Sequence, residues 1–174
     1  MKRVSLLVLL AAAISAADGP VFTRAQLDAA EHGIDQRLAR LWEDNSLSLV
    51  GNTRVAYLPG TGLVVTAEVN LVVVRVQNLM GDPITDKEKT DARKKRTERV
   101  PVLRNAMKQI MLSLATSLNQ IPAAEQIAFV VVLPGNRGDA AGLPVQVTMQ
   151  ATRQDLLNAP GGVLDKAVRV TETN

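Results

Sequence analysis

The amino-acid sequence predicts an α+β domain in two layers. An antiparallel sheet of about four strands, built from two hairpins, packs against an N-terminal helix and a long helix that is kinked or in two pieces. Three observations lead there. Alternating, β-branched segments come in two pairs, each joined by a Gly-containing connection. Apolar residues recur at three- and four-residue steps ahead of the first pair and again between the pairs. No internal repeat or low-complexity linker divides the chain. Short connections favour antiparallel hairpins, and amphipathic helices can cover one face of the sheet they make.

The chain opens on Lys2 and Arg3, an apolar run from Val4 to Ile14, and the small residues Ser15-Ala16-Ala17, which is the layout of a secretory signal. The apolar stretch through Ala17 is about 14 residues, short of the roughly 20 that span a bilayer. We expect cleavage after Ala17, a single globular domain over 18–174, and no transmembrane segment in the mature chain. The expected location is periplasmic or secreted. Cys is absent, which excludes attachment through a lipidated cysteine, a disulfide framework and a thiolate metal site. Loss of Lys2 and Arg3 takes 20 basic residues to 18, against 17 acidic. The basic pI of the whole sequence is therefore no argument for a nucleic-acid partner.

Thr23 to Trp42 reads as the first helix. Thr23 with Gln26 makes a capping-box pattern, and Leu27, Ala30, Ile34, Leu38 and Leu41 form one apolar stripe. Residues 53–58 and 62–76 read as two strands joined by Pro59-Gly60-Thr61-Gly62. Pro presets φ for the second position of a turn, and Gly can take the positive φ that a type II turn needs next. On the second strand Leu63, Val65, Ala67, Val69, Leu71 and Val73 share a face. The other face starts polar, with Thr66, Glu68 and Asn70, and turns apolar from Val72 onward.

Asp86 to Arg99 carries seven basic and four acidic residues. Leu103, Met107, Ile110, Leu114 and Leu118 follow at helical spacing, and Pro122 closes the segment. Pro101 either starts the apolar helix or kinks one long helix, because it lacks a donor and its ring meets the preceding turn. Ile127 to Leu133 is apolar on both faces and reads as an interior strand. Leu143 to Thr152 alternates, with Leu143, Val145, Val147, Met149 and Ala151 inward. A short helix near Gln154 to Asn158, a Pro160-Gly161-Gly162 turn and an ambiguous piece ending in Val168 to Val170 complete the chain. The core is aliphatic, with Phe22, Trp42, Tyr57 and Phe129 the only aromatic residues. So few flat π surfaces argue against a sugar-stacking platform or a single-strand nucleic-acid groove.

The inventory of reactive groups is short. The Pro59–Gly62 turn runs from strand to strand, whereas phosphate-cradling loops run into a helix N-terminus. His32 is the only histidine and stands off the apolar stripe, so no zinc site with two imidazoles exists. Neither Gly-x-Ser-x-Gly nor Ser-x-x-Lys occurs, and Ser113 and Ser117 sit within the apolar helix. Glu43 and Asp44 mark a helix end. Asp82, Asp86, Glu88 and Asp91 crowd a loop-to-helix region without the spacing of a calcium loop, and a helix N-terminus favours such carboxylates unaided. Arg137-Gly138-Asp139 is too short a match to integrin recognition to be specific. No catalytic, cofactor or metal residues are assigned.

What remains is "KEKTDARKKRTER", Lys87 to Arg99. Its functional reading is a surface for anionic lipid or polymer through Arg93, Lys94, Lys95 and Arg96. Its plainer reading is a solvated helix with internal pairs such as Asp91 with Lys95. The expected function is that of a small exported, non-enzymatic domain that binds a partner protein or assembles with itself in the cell envelope. The alternatives are a binder of anionic envelope surfaces and an envelope hydrolase using carboxylates alone, which needs two facing carboxyls in a cleft.

Overall fold

Two hairpins and a long helix between them determine the sheet. The computed structural model describes residues 22–42, 49–72, 85–134, 143–159 and 163–174. In chain order these give α1 (Arg24–Ala39), β1 (Arg54–Leu58), β2 (Gly62–Glu68), α2 (Asp86–Ser117), β3 (Gln126–Val132), β4 (Gln146–Thr152), α3 (Arg153–Asn158) and β5 (Arg169–Thr173). The fold is α+β, with one five-stranded sheet in the order β1-β2-β3-β4-β5.

The sheet is mixed, which corrects the expected all-antiparallel arrangement of about four strands. β1 with β2 and β3 with β4 are antiparallel hairpin pairs, and β5 pairs antiparallel with β4 after α3 intervenes, but β2 and β3 run parallel. The reason is the 32-residue helix α2 between them: it returns the chain to the end where β2 began, so β3 repeats the direction of β2. The fifth strand is the segment that sequence left ambiguous. Arg169–Thr173 is exposed throughout and alternates charge and Thr with Val170, so it shows no apolar face to announce a strand.

Both long helices start where their side chains dictate. Thr23 caps α1 and Thr85 caps α2, each in a reciprocal capping box, with Gln26 and Glu88 respectively. α2 is continuous through Pro101, so the two-piece alternative fails. The hydrogen bond that Pro101 cannot make is to the Thr97 carbonyl, and both residues lie on the exposed side of the helix. Water can take that carbonyl, which lowers the cost of an internal proline.

All three helices cover the same face of the sheet. Leu63, Val65, Ile127, Phe129, Val131, Val147 and Met149 are buried there in one cluster with Ile34 and Leu38 of α1, Leu103, Met107, Ile110 and Leu114 of α2, and Leu156 of α3. β3 is interior by position, but its second face is not buried: Ala128 and Val130 are half-buried and Val132 is 44% exposed. Val145 also departs from expectation, being exposed rather than aligned with Val147. Its N–H bonds the Thr173 carbonyl at 2.8 Å, although Thr173 already has Gln146 as register partner. Two residues therefore oppose one, which is a β-bulge, and a bulge breaks the alternation that placed Val145 inward. Leu71 is buried as expected, although β2 ends at Glu68; beyond it a bridge between Leu49 and Val69 and a bond from the Val69 N–H to the Val132 carbonyl at 2.9 Å continue the pairing. Val73 to Val76 lie outside the described residues.

Candidate interaction surface

The sheet's two edges are treated differently. Beside β1 runs α1, whose Glu31 and Asp35 stand one turn apart on the flank of its apolar stripe. Glu31 Oε1 accepts from the Val55 N–H at 2.9 Å, and Asp35 Oδ1 accepts from the Thr53 N–H at 3.0 Å. These are N–H groups that point away from β2, so the carboxylates occupy the positions another strand would use. Arg54 lies 3.8 Å from Glu31 and balances its charge.

The opposite edge, β5, has no such cover among the described residues. In a strand, the N–H and C=O of successive residues point alternately to either side. The Thr173 carbonyl faces β4, so Arg169 and Thr171 face it too, and the backbone groups of Val170 and Glu172 point outward. On the helix side, Arg104 Nε donates to Glu172 Oε1 at 2.6 Å and fixes that side chain to α2. The sheet face away from the helices continues this open region. Its central rows, Arg54–Thr66–Val130–Thr148–Thr171 and Ala56–Val64–Ala128–Gln150–Arg169, mix small apolar groups with hydroxyls, amides and arginines.

The basic run lies on the first half of α2. At about 1.5 Å per residue the helix is about 48 Å long, against about 23 Å for a seven-residue strand. Arg93, Lys94 and Lys95 are exposed, but Arg96 is only 7% exposed and does not share their surface. The cause is periodicity. Ala92, Arg96, Arg99, Val100, Leu103 and Met107 continue one inward stripe at three- and four-residue steps, all buried. Arg99 donates to the Leu71 carbonyl at 2.6 Å and its guanidinium stands 5.2 Å from the centre of the Trp42 ring, a cation–π arrangement. These two arginines are built into the inner side of the helix.

The Pro59–Gly62 hairpin is a turn tied down from below. Thr61 N–H bonds the Leu58 carbonyl at 3.0 Å, and Gly60 takes φ 77° between them. Gly62 is required as well: its φ is 125°, and a Cβ there would lie 1.9 Å from the Gln126 carbonyl oxygen. Glu125 Oε1 accepts from both the Tyr57 hydroxyl and the Gly60 N–H, each at 3.1 Å. Desolvation, then the hydrogen bond and negative charge of Glu125, push the Tyr57 phenol up to about 12. The Phe22 ring packs on Tyr57 with centroids 4.7 Å apart.

His32, Ser113, Asp86 and Glu88 have structural partners. His32 is exposed and pairs with Gln36 at 2.8 Å. Ser113 Oγ donates to the Gln109 carbonyl of the preceding turn and accepts from Arg37 at 2.7 Å. Arg37 thereby crosses an open groove between α1 and α2, lined by Ala29, Gly33, Ile34 and Leu114 among others. Glu88 belongs to the Thr85 capping box, and Asp86 pairs with Lys89 at 3.2 Å. Among the described residues no three acidic or imidazole groups gather as a metal site, and no helix is long and apolar enough to cross a membrane. Asp82, Glu43, Asp44 and Arg137-Gly138-Asp139 lie outside the described residues.

Sequence reading missed the carboxylates of α1 against β1, the pairing of Tyr57 with Glu125, and the inward arginines. Only the last had a signal, since positions 96 and 99 fall on the stripe extended backward from Leu103. The sequence matches no family model, no curated protein and no solved structure.

Proposed function

We propose that the chain is a small exported, non-enzymatic domain that acts in the cell envelope by binding a partner protein or by assembling with itself. The observation that supports this reading is the asymmetry of the sheet. At one edge Glu31 and Asp35 take up outward N–H groups, while among the described residues the β5 edge presents unpaired backbone groups and the adjoining face mixed side chains. Closing one edge prevents uncontrolled strand addition there and leaves a single direction for association. Export rests on the Lys2-to-Ala17 pattern, and N-terminal sequencing of the secreted form tests it, with Asp18 as the expected first residue. Size-exclusion with light scattering, joined to capture from an envelope extract, tests the interaction role. A strictly monomeric protein that captures nothing sinks it.

A second reading rests on a separate observation, the length of α2. A helix about twice as long as the strands it crosses offers Arg93, Lys94 and Lys95 to solvent on its basic half. Such a surface would hold anionic lipid or cell-wall polymer weakly, over a Debye length of about 8 Å at physiological salt.

A further inference from the structure

We propose that β5 pairs antiparallel with β5 of a second copy, about a twofold axis through Thr171, to join the two sheets into one. This rests on the assembly reading above and names the surface and occupant. The outward N–H and C=O groups of Val170 and Glu172 call for an extended backbone as partner, since only a strand meets alternate residues along an edge. The choice of a second copy comes from the strand's own sequence. A twofold axis normal to the sheet keeps the helix faces together and requires partners of equal parity. Centred on Thr171, it sets Arg169 opposite Thr173, Val170 opposite Glu172, and Thr171 opposite itself. No like charges meet, and all five residues of each strand are used. Val170 and Glu172 of the two copies exchange four N–H···O bonds. The Thr171 hydroxyls meet across the axis on the open face, a favourable cross-strand pair.

Centring on Arg169 or Glu172 instead would set like charges face to face and shorten the overlap. The contact is small, at the low end of specific interfaces, so the dimer should be weak and concentration-dependent. The β1 edge is the poorer competitor, because its outward N–H groups at Thr53 and Val55 are already bonded to α1 and only that of Tyr57 is left.

The absence of Cys from the chain makes the register directly testable. Opposed residues that turn their backbone groups away from each other have Cα atoms about 4.5 Å apart, within disulfide range. Under mild oxidation of the full chain, Thr171→Cys should crosslink to a covalent dimer much faster than Thr173→Cys. The latter pair would sit about 13 Å apart at roughly 3.3 Å per residue. Equal rates, or no crosslinking at 171 in a protein that unfolds like the parent, would overturn the proposal. Val170→Pro removes an outward donor while sparing the bonds to β4, and edge strands tolerate such a proline. It should weaken the dimer by on the order of tenfold or more. A dimer that persists unchanged in Val170→Pro refutes the β5 pairing yet leaves assembly standing. A chain that stays monomeric and captures no partner refutes both.

Discussion

Phe129→Ala tests which face of the sheet is the core. Phe129 is fully buried on the central strand, with Val65 and Met149 as its register partners on the two neighbouring strands. Truncation removes the ring and leaves a cavity, at a cost of about 3–5 kcal/mol for a Phe of this kind. Val65 is β-branched and stiff, so it cannot fill the space. Met149 is unbranched and can swing partway in, which favours the lower half of that range. With a urea slope of about 2 kcal/mol/M, the unfolding midpoint should fall by about 1.5–2 M. Val132→Ala, three residues along the same strand but on the open face, is the control and should cost about 0.5 kcal/mol or less. Equilibrium urea unfolding followed by far-ultraviolet circular dichroism reads both. A loss under about 1 kcal/mol for Phe129→Ala, or equal losses for the two variants, would refute the assignment of faces.

Two glycines should respond in opposite directions. Gly62→Ala forces a Cβ into the Gln126 backbone and should destabilise by several kcal/mol or prevent folding, whereas Gly33→Ala meets nothing within 4 Å and should stabilise α1 by about 0.5–1 kcal/mol. Thermal unfolding decides it, and similar effects at the two positions would contradict the geometry. Tyr57 is the only tyrosine, so tyrosinate absorbance reports it alone, and its midpoint should lie near 12 rather than the usual 10.0 and fall in Glu125→Gln. The folded phenol holds its proton more tightly than the unfolded one, so its contribution to stability is present below pH 10.0 and is lost as pH rises through about 12. An ordinary midpoint in the folded protein would remove the Tyr57–Glu125 pairing. For the basic half of α2, binding to anionic vesicles should be weak, lost at high salt and reduced by Lys94→Glu with Lys95→Glu; equal retention of parent and double variant at low salt leaves only a solvated helix.

What the sequence made legible was local. Thr23 with Gln26, the apolar stripe of α2, and the Pro59-Gly60 turn are decided by neighbours along the chain and form as their residues prescribe, while α1 keeps its stripe through Leu38 but ends at Ala39, short of the expected Trp42. What it left hidden depends on the sheet as a whole. The parallel pairing of β2 with β3 follows from where α2 delivers the chain, which no periodicity records. β5 stabilises by joining an edge rather than by burying a face, so its Arg-Val-Thr-Glu-Thr sequence carries no strand signal. Val145 shows the limit of alternation, because a bulge shifts parity without changing composition. The basic run illustrates a third case: four consecutive charges read as one patch, yet the helical period turns Arg96 inward and leaves three at the surface. The closure of β1 is equally invisible locally, since Glu31 and Asp35 find their donors 24 and 18 residues away.

Residue-resolved amide hydrogen exchange at low and high protein concentration tests the difference between the two edges most directly. The Thr53 and Val55 amides, held by Asp35 and Glu31, should be protected at every concentration. The outward Val170 and Glu172 amides should exchange rapidly in dilute protein and become protected as concentration rises. Thr53 and Val55 amides as labile as an open edge, or Val170 and Glu172 amides that exchange equally fast throughout, would contradict an edge closed at β1 and used for association at β5.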